Sequence, residues 1–284
     1  MINIPIIDTH FHIWNASELT LEWLSGFKTI KSIYTLQEYE SAIQKYNILK
    51  SCYAEVYVDR DEIDKEANYI INVCSSNQNN IVAATLGCDL TRNDFSEYIQ
   101  RYNKIGYVKS VRHNFLEYNP ATIIDNQFIR NTQLLGNLDI MSDLTISANF
   151  MKEAVKLVQQ CPNTMFIIDH CGIYPMQGEA KLIEEWYKGI TKYAAESNTI
   201  CKISEPCLTA PNYHWKIEDV LLIIRHCVDS FGEDRIMYAS NWPICEVTGS
   251  IELWFEALKE ALKDKSDIFW HKLMHKNAEI YYLI

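Results

Sequence analysis

Short apolar runs alternate with longer stretches of helical period along the whole chain. The runs are rich in Ile, Val and Tyr and fall at 4–13, 49–58, 81–90, 107–115, 138–146, 164–172, 199–204 and 235–243. Continuous apolar runs of this length, bounded by polar segments, predict strands buried on both faces. Between them lie stretches such as DEIDKEANYIINVCSS, ANFMKEAVKLVQQC and KIEDVLLIIRHCVDSF. In the last of these, Ile217, Val220, Leu221, Ile224 and Val228 recur at three-to-four spacing, the stripe of a helix lying on a core. Eight strands, each followed by a helix, in 284 residues predict an α/β protein built as a single (β/α)8 TIM barrel. An open doubly wound sheet is the weaker reading, because no G-x-G-x-x-G follows the first strand. No linker-like or repeated segment divides the chain, so residues 1–284 read as one domain.

Composition narrows the classes. Apolar residues make up 48% and charged residues 22%, ordinary globular values. No apolar run approaches the ~20 residues that span a bilayer. The start, MINIPIIDTHFH, lacks the basic opening and small-residue cleavage site of a secretory signal. The net charge of −11, from 26 basic and 37 acidic side chains, repels phosphate backbones and anionic lipid heads. Neither nucleic acid nor membrane is therefore expected as a partner, and an anionic substrate would need a local Arg or a metal. The nine Cys are odd in number, scattered and never spaced C-x-x-C. Most flank apolar runs, which predicts reduced, buried thiols and a cytoplasmic location. Homo-oligomer formation is left open.

In a barrel, chemistry gathers where strands end, so polar residues that interrupt the apolar runs matter most. The first strand ends in Asp8-Thr9-His10-Phe11-His12. His10 and His12 share one side of an extended strand, ~7 Å apart along it, and together suit one metal or one carbonyl oxygen. The sixth strand ends Asp169-His170-Cys171-Gly172, and the fourth ends Val111-Arg112-His113, placing a cation over the same mouth. Lys202 and Glu205 end the seventh strand, and Ser240-Asn241-Trp242-Pro243 the eighth. Glu55 and Asp143 lie inside runs that otherwise read as buried. Buried ionisable groups are costly unless paired or functional, so their recurrence near nearly every strand end predicts a site.

The remaining aromatic and imidazole groups read more blandly. Trp14, Trp23 and Trp242 suit either stacking on a sugar ring or core packing. His214 precedes Trp215 in a loop and is a candidate substrate contact, as is His113. His226 reads as surface, and His271 and His275 as a helix face near the C-terminus. Asp169 is expected to point away from its neighbour His170 and to stand behind the ligands rather than among them.

The order of I-D-T-H-F-H-I-W, S-V-R-H, M-S-D-L, I-I-D-H-C-G, C-K-I-S and F-G-E-D-R-I-M-Y-A-S-N-W-P resembles the amidohydrolase superfamily. It looks most like the branch of sugar-acid lactonases such as L-fuconolactonase and L-rhamnonolactonase, with 2-pyrone-4,6-dicarboxylate lactonase more distant. The resemblance covers essentially the whole chain and implies that His10, His12, His170 and Asn241 surround the scissile carbonyl. The family pattern at the eighth strand is S-D-W-P, whose Asp is the proposed general base. Asn241 departs from it, and an amide cannot take that role. Three explanations stand open: an introduced Asp-to-Asn change, another base among Glu55, Asp143 and Glu205, or lost catalysis.

Strand four lacks the bridging ligand of the two-metal members, so at most one metal is expected. That would be Zn²⁺, bound by His10, His12 or Glu55, and His170. The alternative is metal-free, with the imidazoles and Arg112 polarising the carbonyl. The expected activity is hydrolysis of a small cyclic ester, a sugar-acid 1,4- or 1,5-lactone, in carbohydrate metabolism. Arg112, His113, Trp14, Lys202, Glu205, His214 and Trp242 are its expected substrate contacts. An amide-hydrolysing or decarboxylating relative and a sugar-acid-binding pseudoenzyme are the alternatives.

Overall fold

The computed structural model describes residues 4–27, 29–76, 79–113, 115, 119–206, 209–210 and 214–284. Eight parallel strands hydrogen-bond in chain order: β1 (Ile6–Phe11), β2 (Ile48–Ala54), β3 (Ile81–Cys88), β4 (Val108–His113), β5 (Met141–Leu144), β6 (Phe166–Ile168), β7 (Thr199–Ile203) and β8 (Ile236–Tyr238). The seam between β8 and β1 is closed by backbone bonds from Asn241 N–H to the His10 carbonyl at 2.9 Å and from His12 N–H to the Trp242 carbonyl at 2.7 Å. A helix follows each strand: α1 (Leu36–Ile43), α2 (Ile63–Ser75), α3 (Phe95–Tyr102), α4 (Asn126–Asn137), α5 (Met151–Gln160), α6 (Ala180–Ala194), α7 (Ile217–Phe231) and α8 (Ile251–Ala261). A last helical segment, α9 (267–282), contains a π-helical turn at Lys272–Lys276. The chain is a single (β/α)8 barrel.

Every residue of β1, β5, β6, β7 and β8 is buried, as expected of strands covered on both faces. The strands are shorter than the apolar runs that predicted them. The excess lies largely at their C-terminal ends, where residues such as His12, Glu55 and Asp169 leave the ladder to build the mouth. Several helices begin on the signals their sequences carry. Thr35 and Glu38 form a capping box on α1, the Asp125 carboxylate accepts from Gln127 N–H, and the Ser250 hydroxyl accepts from Leu253 N–H. On α7 the buried face is Val220, Ile223, Ile224, Cys227, Val228 and Phe231. Ile217 and Leu221 of the expected stripe only flank it.

Two cores result. One fills the space between strands and helices. The other plugs the lower barrel with Ile7, Cys52, Ala83, Met141, Ile167, Ile200 and Met237, closed from below by Ala278 and Tyr282 of α9. Above that plug the inward positions become polar, and β1 shows how. Asp8 pairs with Ser51 and Phe11 with Tyr53, three steps on β1 against two on β2. The extra residue is a bulge, and it inverts the alternation. Ile7 faces inward, but beyond the bulge His10 and His12 do so in place of Thr9 and Phe11. Phe11 stacks instead on Tyr39 of α1, ring centroids 3.9 Å apart.

The eight described cysteines are buried and unbonded, and Cys207 lies outside the described residues. No helix among the described residues is long and apolar enough to cross a membrane.

Candidate active site

The structure brings His10, His12 and His170 together at the C-terminal mouth. His10 Nε2 lies 3.1 Å from His12 Nε2, and the His10 and His170 ring centroids are 4.6 Å apart. Burial is the main force on all three imidazoles. It holds His10 well below its ordinary value, His12 down to about 3 and His170 down to about 4, with Arg112 adding to the shift on His12 and His170. All three are therefore neutral at pH 7.

One hydrogen bond fixes a tautomer. His12 Nδ1 lies 2.8 Å from the Ala54 carbonyl, which only accepts, so its proton sits on Nδ1 and its Nε2 carries a lone pair. His10 meets a donor and an acceptor at each nitrogen. Its Nε2 lies 3.3 Å from Arg112 Nη1 and 3.1 Å from His12 Nε2, and its Nδ1 lies 3.4 Å from both Lys202 Nζ and Asp169 Oδ1. A proton on either nitrogen of His10 therefore finds an acceptor.

Beneath the imidazoles is a charged floor. Lys202 Nζ is 2.5 Å from Asp143 Oδ2 and 3.2 Å from Asp169 Oδ1. Arg112 reaches Glu55 Oε1 through Nε at 2.5 Å and Asp169 Oδ2 through Nη1 at 3.3 Å, and its Nη2 donates to the Glu55 carbonyl at 2.7 Å. Burial pushes Asp169 up, but Lys202, His10 and Arg112 outweigh it and hold it well below the carboxylate range. Asp143, for which burial wins over Lys202, rises to about 6. Behind Glu55, Glu66 of α2 accepts from Tyr53 Oη at 2.7 Å and Val56 N–H at 2.6 Å. Burial first, then the Glu55 charge, push it up to about 8.

A turn sharpens this geometry. His170, Cys171 and Gly172 have φ of 52°, 55° and 68°. Simple alternation would send Asp169 and His170 apart. The left-handed run turns both into the site, and this corrects the expectation for Asp169. A Cβ on Gly172 would lie 2.5 Å from Met151 Cε, so the third position of the turn requires glycine.

Several expected contacts are repositioned. Lys202 is fully buried under His10 and lines no part of the cavity, because both of its carboxylate partners lie in the floor. His113, one residue past inward-facing Arg112, faces the opposite way. Its Nδ1 accepts from Leu90 N–H at 3.1 Å and its ring packs edge-on against Phe128 of α4. Trp242 packs against Tyr34 and Tyr39 rather than on the cavity. His214 is exposed and outside the cavity lining. Glu55 meets Arg112 with one oxygen and Tyr57 N–H, at 2.6 Å, with the other. Asp169 is also paired, with Lys202, Arg112 and Thr145, and its carboxylate and the His10 and His170 nitrogens all lie within 4.8 Å of one another.

The cavity over this floor has a volume of about 450 Å³. His12, His170, Arg112, Trp14, Glu205 and Asn241 all line it. Glu205 Oε1 accepts from the Thr248 hydroxyl at 2.8 Å. Asn241, with φ of 58°, keeps a buried Oδ1 that has no hydrogen-bond partner among the described residues. The sequence reading missed Thr145, which donates to Asp169 Oδ2 at 2.9 Å, and Ser204, 3.0 Å from His170 Nδ1. It also missed Glu66, whose signal was an acid on the apolar face of α2.

A parallel barrel with imidazoles, a guanidinium and carboxylates gathered at its C-terminal mouth is the architecture of an enzyme built on the ends of its strands. The sequence matches the family Amidohydrolase over residues 7–283, and the chain belongs to that family: it is a hydrolase of the amidohydrolase superfamily. It is similar to the protein y4mH of Sinorhizobium fredii, with 23% identity over the whole of both chains. It is also similar to an L-fucono-1,5-lactonase of Burkholderia ambifaria, with 22% identity over 86% of this chain and 82% of that one. Among solved structures, an amidohydrolase from Burkholderia multivorans with bound zinc shares the fold. Its TM-score is 0.87, with 18% identity over 99% of each chain.

Proposed function

We propose that this chain opens a small cyclic ester by attack of water on the carbonyl. The observation that carries the reading is one cavity lined by His12, His170, Arg112, Glu205 and Asn241 over a charged floor. The names of the lactonase relatives support the ester class; sugar-acid lactones are their substrates by name. A cytoplasmic location and a small-molecule partner belong to the same reading.

Arg112 lies beside the ester oxygen and stabilises the charge that develops on it, while His12, whose only N–H is held by Ala54, turns a lone pair toward the same space. Glu205, held by Thr248, takes one proton from the attacking water. The unpartnered Asn241 Oδ1 accepts that water's second hydrogen and orients it. When the ring C–O bond breaks, Glu205 returns its proton to the leaving alkoxide. Glu205 is the favoured base because Glu55 is consumed by Arg112 and Asp143 lies below the cavity. His10, His170 and Asp169, with one donor atom each lying within 4.8 Å of the others, would hold a single divalent cation, zinc best by donor type. Such an ion would supply Lewis-acid polarisation of the carbonyl.

A lactone panel followed by pH-stat, with metal content measured on the same sample, tests this. Turnover of any lactone, lost in Glu205→Gln, is expected. Asn241 favours one second reading, a binding protein without turnover. Ligand retention with no hydrolysis by the native chain, and hydrolysis gained in Asn241→Asp, would select it.

A further inference from the structure

Among the described residues, the wall of the cavity does not suit a polyhydroxylated ligand. Two aromatic clusters make up much of it: Trp14, Trp23 and Phe27, with successive ring centroids 5.5 and 5.9 Å apart, and Phe115 with Phe150, at 5.5 Å. Ile173 and Ile244 extend it. The indole N–H groups, which often bind sugar hydroxyls, are turned to the backbone. Trp14 Nε1 donates to the Lys31 carbonyl at 3.2 Å and Trp23 Nε1 to the Val56 carbonyl at 2.8 Å. The polar groups of the lining are also largely committed. Glu55 serves Arg112 and Tyr57 N–H, Thr145 serves Asp169, and Nδ1 of His12 and of His170 serve Ala54 and Ser204. Tyr57, Ser147, Glu205 and Asn241 are the other polar side chains of the described lining.

Charge points the same way. Arg112 is the single cation lining the cavity among the described residues, and it lies between Glu55 and Asp169. A ligand carrying its own carboxylate finds no uncommitted counter-ion there. A sugar acid bears a hydroxyl on nearly every carbon, and each one buried without a partner loses on the order of ten-fold in affinity. An aliphatic or aromatic body gains instead by leaving water.

We propose that the substrate is a neutral γ- or δ-lactone whose ring carries an alkyl or aryl body, seated against Trp14, Trp23, Phe27, Phe115 and Phe150. This deepens the lactonase reading and rests on it for the ester, while the wall argues for the body independently. The sugar-acid lactone expected from the sequence is thereby replaced as substrate class, with the ester chemistry kept.

The test is a homologous series from γ-valerolactone to γ-decalactone, run beside D-glucono-δ-lactone, with kcat/KM as the readout. The value should rise about three- to four-fold per methylene until the cavity fills, and exceed that of the sugar lactone by the long end. Phe150→Ser, at a half-buried position, should flatten that slope. A sugar lactone turned over faster than every alkyl lactone would overturn the proposal and leave the lactonase reading intact. If no lactone of either kind is hydrolysed, the lactonase reading fails. Binding of the matching alkyl lactams, read by quenching of tryptophan fluorescence, then decides the wall by itself. Affinity rising with chain length supports it, and a flat series refutes it.

Discussion

The floor and the wall of the cavity are built from different materials by different parts of the chain. The floor comes from strands and their ends, and its charges are buried and paired: Lys202 with Asp143 and Asp169, Arg112 with Glu55 and Asp169. Much of the wall comes from the loops after β1, β4 and β5, and its aromatic members are mostly half-buried. A rigid polar floor holds reacting groups in place. A looser apolar wall sets which bodies may approach them. Chemistry and selectivity are therefore separable here, and substitutions should sort by which surface they touch.

The largest effect is expected in the floor. Lys202→Met leaves Asp143 and Asp169 facing each other without their ammonium, and breaking such a buried pair costs about 3–5 kcal/mol. Urea unfolding measures it, and a loss below 1 kcal/mol would mean that the ammonium is dispensable to the floor. Next comes the chemical step. Glu205→Gln should lower kcat by ~10²–10³, about 3–4 kcal/mol of barrier, with the melting temperature nearly kept. An unchanged kcat would return the base to another residue.

Acid should loosen the floor before the wall. Folding holds His10, His12, His113 and His170 below the ordinary 6.5, the last three to about 3, about 4 and about 4, with burial the first cause in each. Below pH 6.5 the unfolded chain takes up protons that the folded chain refuses. The stability from these four groups is complete above 6.5 and is lost as pH falls toward 4. Asp143 and Glu66, raised to about 6 and about 8, act in the opposite sense, as do Asp8 and Glu246, raised by burial, while His275 is lowered and adds to the imidazoles. Between pH 7 and pH 5 the imidazoles outweigh the carboxyls, a net loss. Chelator-treated protein should show a urea midpoint that falls from pH 7 to pH 5, and a flat or rising midpoint would contradict the neutral imidazoles. The smallest effect belongs to the wall. Phe150→Leu should cost under about 1.5 kcal/mol of stability and alter KM more than kcat.

The same contrast explains what could be read from the sequence. Strands and floor were legible because an ionisable group inside an apolar run is a visible interruption, as at His10, Glu55, Arg112 and Asp143. The direction each residue takes was less so. Asp169 and His113 were misplaced because alternation fails at a left-handed turn and says nothing of which face is inward. Lys202 looked like a strand-end residue, but it lies one layer lower than its place in the sequence suggested. The wall was nearly invisible, since Phe27, Phe115 and Phe150 have the composition of core and no periodicity marks them as lining a cavity.

The bulge in β1 makes that strand more sensitive to length than to composition. Because one surplus residue between Asp8 and Phe11 sets the parity of everything beyond it, removing a single residue there would exchange the two faces of the strand's end. Phe11 would enter the mouth, and His10 and His12 would turn toward α1. Substitutions along β1 can therefore accumulate one at a time, each judged on its own side chain. A one-residue insertion or deletion has no such gradual route, so relatives that keep the paired histidines should vary in identity across this stretch while keeping its count.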